Sequence, residues 1–208
     1  MGFWGTLVVA RSCRPLEELD GLKAAAHHVA WRWTGGDGWQ VVQLHRSPDG
    51  YDSQRLPADW ERLLVSVMEQ TGHPVLAAVV LDSDAAQLIG YSPNAGRWGG
   101  WLMLERIVAH LDYTALPEAW KDEHGEPQVD LGEDYQRRVR QAMERLHQVG
   151  PPGDLAAPLA VRWANEAGFA PTVAAVGAVL NGDDAFAEDL FFELLEVLGL
   201  PDLASTEA

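Results

Sequence analysis

The feature that most constrains this chain is the uncharged run from Val75 to Leu81, which contains only Val, Leu and Ala. Pro74 precedes the run, and Asp82-Ser83-Asp84 follows it. A short apolar run between chain-breaking residues is typical of a strand that is buried on both faces. Asp and Ser then favour a turn, because their side chains bond to nearby backbone N–H groups. We therefore predict a β-hairpin whose second strand covers residues 86–91.

The elements predicted around this hairpin alternate between strands and helices. Strands are predicted at 3–10, 27–34 and 39–45 from β-branched, aromatic or alternating patterns, and helices at 16–26, 56–71 and 101–111 from helical apolar spacing. The segment Trp98-Gly99-Gly100-Trp101 is predicted to be a loop. This order predicts an α+β fold in which a mostly antiparallel sheet of about five strands has covering helices on one side.

The composition changes after residue 112. Residues 113–132 are rich in Pro, Gly and acidic side chains and have no sustained periodicity, which predicts an exposed acidic connector. Four helical patterns follow between Glu133 and Leu198. We therefore predict an α+β sheet domain at 1–112, an acidic connector at 113–132, and a helical C-terminal region at 133–208 that packs on or beside the sheet domain.

The charge of the chain is also uneven. The net charge is −16, and residues 113–208 carry 18 of the 31 acidic side chains but only 6 of the 15 basic ones. A field of this sign repels nucleic acid and anionic lipid and attracts basic proteins, so we expect a basic protein partner and neither nucleic acid nor membrane. The alternative is that the acidity only maintains solubility.

Several sequence signals are absent, and their absence limits the compartment and the chemistry. No apolar run approaches the roughly 20 residues that span a bilayer, and the N-terminus lacks the pattern of a secretory signal, so we expect a cytoplasmic protein. Cys13 is the single cysteine, which excludes an internal disulfide and a multi-thiolate zinc site. We expect no cofactor.

Asp82 and Asp84 have two interpretations. Paired carboxylates in a turn can hold Mg²⁺, Mn²⁺ or Ca²⁺. The run VVLDSD resembles the Asp-x-Asp motif of nucleotide-sugar glycosyltransferases, and this resemblance implies a metal that bridges a diphosphate. The protein would then be a metal-dependent transferase or hydrolase, with His73 or His110 as proton carrier. The interpretation that we favour is that both carboxylates belong to an ordinary hairpin turn.

Two further sets of residues are candidates for binding. Trp39 and Trp98 lie beside glycines, and exposed indoles there could stack on a sugar or on a partner's side chain, whereas buried ones would be core. Asp189, Glu193 and Glu196 are predicted to form an acidic stripe on the last helix. We favour a non-enzymatic, immunity-like or regulatory protein that binds a basic macromolecule through these residues. A small-ligand or sugar-binding module using Trp39 and Trp98 is a second alternative, after the metal-dependent enzyme.

Overall fold

A computed structural model describes residues 2–45, 60–110, 132–200 and 203–207. Its strands are β1 (Gly5–Arg11), β2 (Val29–Thr34), β3 (Trp39–His45), β4 (Val75–Leu81), β5 (Ala85–Ser92), β6 (Gly96–Leu102) and β7 (Ala204–Glu207). They form one antiparallel sheet in the order β6-β5-β4-β1-β3-β2-β7. The first strand of the chain therefore lies at the centre of the sheet, with the predicted hairpin beside it.

Helices cover both faces of this sheet, so the prediction that the covering helices lie on one side is wrong. The α-helices are α1 (Trp60–Thr71), α2 (Gly132–Val149), α3 (Gly153–Glu166), α4 (Val173–Leu180) and α5 (Ala187–Leu198). On one face, side chains of β1, β3 and β4 form an apolar core with α1 and with the helical turns that follow β1. On the other face, the alternate side chains of these strands form a second core with α3, α4 and α5. Because successive side chains of a strand point to opposite faces, strands covered on both sides are apolar throughout.

The predicted α+β class is confirmed, and each of the five predicted strands is present. The predicted loop at Trp98–Trp101 is wrong, because these residues belong to β6, which pairs with β5 from Ser92 to Ala86. The predicted helix at 101–111 is consequently wrong at its start, and the chain forms a 3₁₀ helix at Leu104–His110 instead. The strand β7 also lies beyond the predicted set.

The helix predicted at 16–26 is replaced by two 3₁₀ helices, Leu16–Glu18 and Lys23–His28. Gly21 lies between them, against α1. A Cβ atom on Gly21 would lie 2.5 Å from the carbonyl oxygen of Leu63. The close approach to α1 therefore requires a glycine here, and glycine also weakens a continuous α-helix.

The C-terminal helices share a core with the sheet. Phe191, Leu194 and Leu198 of α5 are buried in the same cluster as Leu7 and Leu76 of the sheet. Residues 113–131 of the predicted acidic connector lie outside the described residues. The proposed division into a sheet domain and a helical region thus stays a prediction, although the helices described here pack directly on the sheet.

Two side chains of α3 attach this helix to the hairpin strands. The buried indole N–H of Trp163 donates to the carbonyl oxygens of Val75 and Tyr91, at 3.0 and 3.1 Å. The carboxylate of Glu166 accepts hydrogen bonds from the backbone N–H groups of Asn94 and Ala95 in the turn between β5 and β6. Burial acts to raise the pKa of Glu166, but the hydrogen bonds from this turn outweigh it and hold the pKa below its ordinary value.

Candidate functional site

The turn between β4 and β5 contains Asp82 and Asp84, the predicted metal pair. Asp82 and Ser83 have φ angles of 53° and 61°, in the left-handed region that Asp tolerates better than most residues. The carboxylate of Asp82 accepts a hydrogen bond from the backbone N–H of Gly2 at 2.8 Å. The hydroxyl oxygen of Ser83 accepts a hydrogen bond from the backbone N–H of Phe3 at 2.7 Å. The backbone N–H of Ser83 in turn donates to the carbonyl oxygen of Phe3. The turn thus holds residues 2–3, which we call the N-terminal arm, against the sheet.

The same turn also holds the start of α5. The Ser83 hydroxyl donates to Oε1 of Glu188 at 2.7 Å, and the Ser83 carbonyl oxygen accepts from the N–H of Ala187, also at 2.7 Å. Ser83 is only 4% exposed. Sequence reasoning missed this residue because its partners lie 80 and 105 positions away. The available sequence signal for a structural role of Ser83 was its position between two aspartates in a predicted turn.

The structure separates His73 from Asp82 of the predicted enzyme site. His73 precedes β4 and Asp82 follows it, so the two lie at opposite ends of a seven-residue strand. At about 3.3 Å per residue, the strand that lies between them is roughly 23 Å long. The side chain of His110 lies outside the described set. Across the described ranges, no group of three or more His, Cys, Asp or Glu side chains is placed to hold a metal ion.

Trp39 and Trp98 are in the core, which is the second of the two alternatives given above, so their rings are not exposed for stacking on a sugar or on a partner. Trp39 is 2% exposed, and its ring packs on those of Trp163 and Phe169 at centroid distances of 6.2 and 5.7 Å. Trp98 is 3% exposed and lies across Gly90, where a Cβ atom would be 1.9 Å from the indole nitrogen. The glycines near Trp98 provide room for a buried ring and do not expose it.

The outer face of α5 carries the third predicted set. Asp189, Glu193 and Glu196 are all exposed, as the helical spacing predicted, while the apolar row of α5 is buried against the sheet. We call these three residues the acidic face. Residues 163–208 contain nine Asp and Glu and no Lys, Arg or His. Within the part of the chain that the structure describes, none of the three carboxylates forms an ion pair.

Exposed aromatic side chains lie at the start of α5 and on the strand that packs against it. Phe186, the N-cap residue of α5, is 50% exposed. Trp33 of β2 packs on Phe192 of α5 with a centroid distance of 5.0 Å. Trp31 lies two residues before Trp33, hence on the same side of β2, and is 39% exposed. The alternating pattern of β2 predicts a buried face for Trp31, and helical spacing predicts Phe186 in the apolar row of the last helix. Both predictions are wrong about exposure, because neither pattern shows where the covering elements end.

Comparison with protein-family models, with curated proteins and with solved structures gave no match. None of the helices in the described ranges is long and apolar enough to cross a membrane.

Proposed function

We propose that this chain is a non-enzymatic, immunity-like or regulatory protein that binds a basic protein partner through the acidic face of α5. The observation that carries the proposal is the position of Glu193 and Glu196, which are exposed in the second half of α5, where the last turn has no basic residue. Carboxylates near the C-terminal end of a helix are unfavourable, because the helix dipole places a partial negative charge at that end.

Within the acidic face, Glu193 and Glu196 do not serve the stability of α5, whereas Asp189 lies in the first turn, where a carboxylate is favourable. Asp189 and Glu193 are spaced i, i+4, and Glu193 and Glu196 are spaced i, i+3, so each pair lies side by side on the helix surface. Like charges at these spacings destabilise a helix by about 0.2–0.5 kcal/mol per pair. A partner that brings Lys or Arg to this face would remove the repulsion, and the unfavourable arrangement of the free protein would then favour the complex.

The exposed aromatic residues supply the apolar part of such an interface. Exposed Trp and Phe rings beside charged residues are typical anchors, because they bury a large area with few rotatable bonds. The ring of Trp31 also suits a partner's Arg, since a guanidinium group stacks favourably on an indole. Phe186 lies at the N-terminal end of α5. Together with Trp31, it gives the charged surface two points of apolar contact.

Capture from a lysate of the source organism tests the proposal. Wild-type protein on a solid support should retain a basic protein that is released as the salt concentration rises. The double variant Glu193→Lys, Glu196→Lys should fail to retain it. The matched control is Glu69→Lys, Glu105→Lys, which reverses two exposed carboxylates elsewhere and changes the net charge by the same amount. Equal retention by the two variants would contradict the proposal.

A further inference from the structure

A second candidate site lies on the other side of the molecule, where β1 ends and β4 begins. A cleft of about 400 Å³ opens there, and the residues that line it include Arg11, Cys13, Arg14 and His73. This volume is within the range of small-ligand pockets, about 300–1,000 Å³. The end of α1 forms another wall through Gln70 and Thr71.

The backbone around the cleft is fixed by hydrogen bonds. The side-chain amide of Gln40 donates to the carbonyl oxygens of Ser12 and Arg14, both at 2.9 Å. The Nε of Arg11 donates to the backbone carbonyl oxygen of Asp37 at 2.7 Å. Asp37 has a φ of 56°, so its carbonyl group is presented by a left-handed turn. The guanidinium of Arg11 is thereby oriented before any ligand arrives, which lowers the entropy lost on binding.

The cleft concentrates positive charge in a strongly acidic protein. Elsewhere, Arg32, Arg97 and Arg106 each form an ion pair with a carboxylate. Neither Arg11 nor Arg14 has a carboxylate within ion-pair distance among the residues that the structure describes, although the chain has 31 acidic and 15 basic side chains. Asp37 also lines the cleft, but it meets Arg11 through its backbone oxygen.

We propose that this cleft binds a small organic anion whose carboxylate or phosphate group lies between Arg11 and Arg14. A guanidinium group offers a planar fork of N–H donors that matches both groups. The imidazole of His73 and the hydroxyl of Ser12 are placed to contact the remaining polar part of the ligand. This site is independent of the acidic face, and neither site requires the other.

Cys13 provides a direct assay, because it is the single cysteine, is exposed, and lines the cleft. Its rate of labelling is measured with a dianionic aromatic disulfide, 5,5′-dithiobis(2-nitrobenzoate), and with the neutral 4,4′-dithiodipyridine. The ratio of the two rates should fall by about tenfold in Arg11→Gln, Arg14→Gln, because the arginines attract the anionic reagent. Arg62→Gln, Arg162→Gln is the control of equal net charge and should leave the ratio unchanged. Arg14→Gln alone should give a partial fall and retains the hydrogen bond between Arg11 and Asp37.

Competition identifies the anion. Labelling of wild-type Cys13 by the neutral reagent is followed with inorganic phosphate, with succinate and with chloride at matched ionic strength. Saturable protection by phosphate or by succinate, lost in the Arg14→Gln variant, supports the proposal, and the more effective of the two defines the ligand class. If neither anion protects more than chloride does, the proposal is wrong.

Discussion

Replacing Ser83 with Ala removes the hydroxyl group that joins the N-terminal arm, the β4–β5 turn and α5. The change deletes one hydrogen bond from the Phe3 N–H and one to the Glu188 carboxylate. A neutral hydrogen bond contributes about 0.5–1.5 kcal/mol to stability, and one to a charged group about 1.5–3 kcal/mol. The other carboxylate oxygen of Glu188 is buried without a hydrogen-bond partner among the described residues. We therefore expect Ser83→Ala to lower the free energy of unfolding by about 2–4 kcal/mol.

A double-mutant cycle with Glu188→Ala separates the two bonds. In the Glu188→Ala background, Ser83→Ala should cost only about 1 kcal/mol, because the Phe3 bond alone is then lost. Unfolding in urea, followed by tryptophan fluorescence, measures each free energy, and an unchanged slope against urea shows that the unfolded state is unaffected. Ser66→Ala is the control, since its hydroxyl only accepts a local bond from Gln70 within α1. Additivity of the two changes within about 0.5 kcal/mol would refute the coupling of turn and helix.

Three further predictions follow from the attachments of α3 and from the β4–β5 turn. Glu166→Gln should destabilise the protein by about 0.5 kcal/mol near neutral pH, because water screens the partly exposed carboxylate. Folding lowers the pKa of Glu166, so its contribution to the free energy of unfolding is present above the unfolded-state pKa. That contribution is lost as the pH falls through the folded-state pKa. The urea midpoints of the wild type and of Glu166→Gln should therefore converge in acid. Trp163→Phe, which loses both hydrogen bonds of a buried indole, should lower the free energy of unfolding by about 2–3 kcal/mol in the same urea assay. Calorimetry with Mn²⁺ should give no saturable heat with the wild type, and heat that disappears in Asp82→Asn, Asp84→Asn would contradict the turn interpretation.

The strand β4 could be predicted to the residue because its signals are local. Val75–Leu81 is apolar throughout, and it is bounded by a proline and an Asp-Ser-Asp turn. The helix α4 has the same advantage, since Thr172 caps it by accepting a hydrogen bond from the N–H of Ala175. Local patterns of this kind also identified the exposed face of α5.

The strand β6 could not be predicted because its cause is tertiary. Gly99 and Gly100 carry no strand preference of their own. They are in a strand because β5 pairs with them and because α3 packs closely over them: a Cβ atom on Gly100 would lie 3.2 Å from that of Ala156. The choice between an exposed and a buried Trp98 also depends on tertiary structure. The burial of Trp98 depends on Gly90, which lies opposite it on the neighbouring strand β5 and leaves room for its ring.

The cleft at Arg11 and Arg14 escaped sequence reasoning altogether. The two arginines lie at the end of β1, while His73 begins the segment before β4. They meet because β1 and β4 are antiparallel neighbours, with Ala10 opposite Val75. Pairing of strands that are distant in sequence brought His73 to the two arginines, and no spacing along the chain indicates it.

The affinity of the captured basic protein for the two charge-reversed variants is the most direct test of the proposed function. Isothermal titration at physiological salt should show the complex weakened at least tenfold by Glu193→Lys, Glu196→Lys, about 1.4 kcal/mol. The control Glu69→Lys, Glu105→Lys should change the dissociation constant by less than about threefold, because distant exposed charges are screened. Equal weakening by the two variants would show that only the total charge matters, and that the acidic face of α5 is not the binding site.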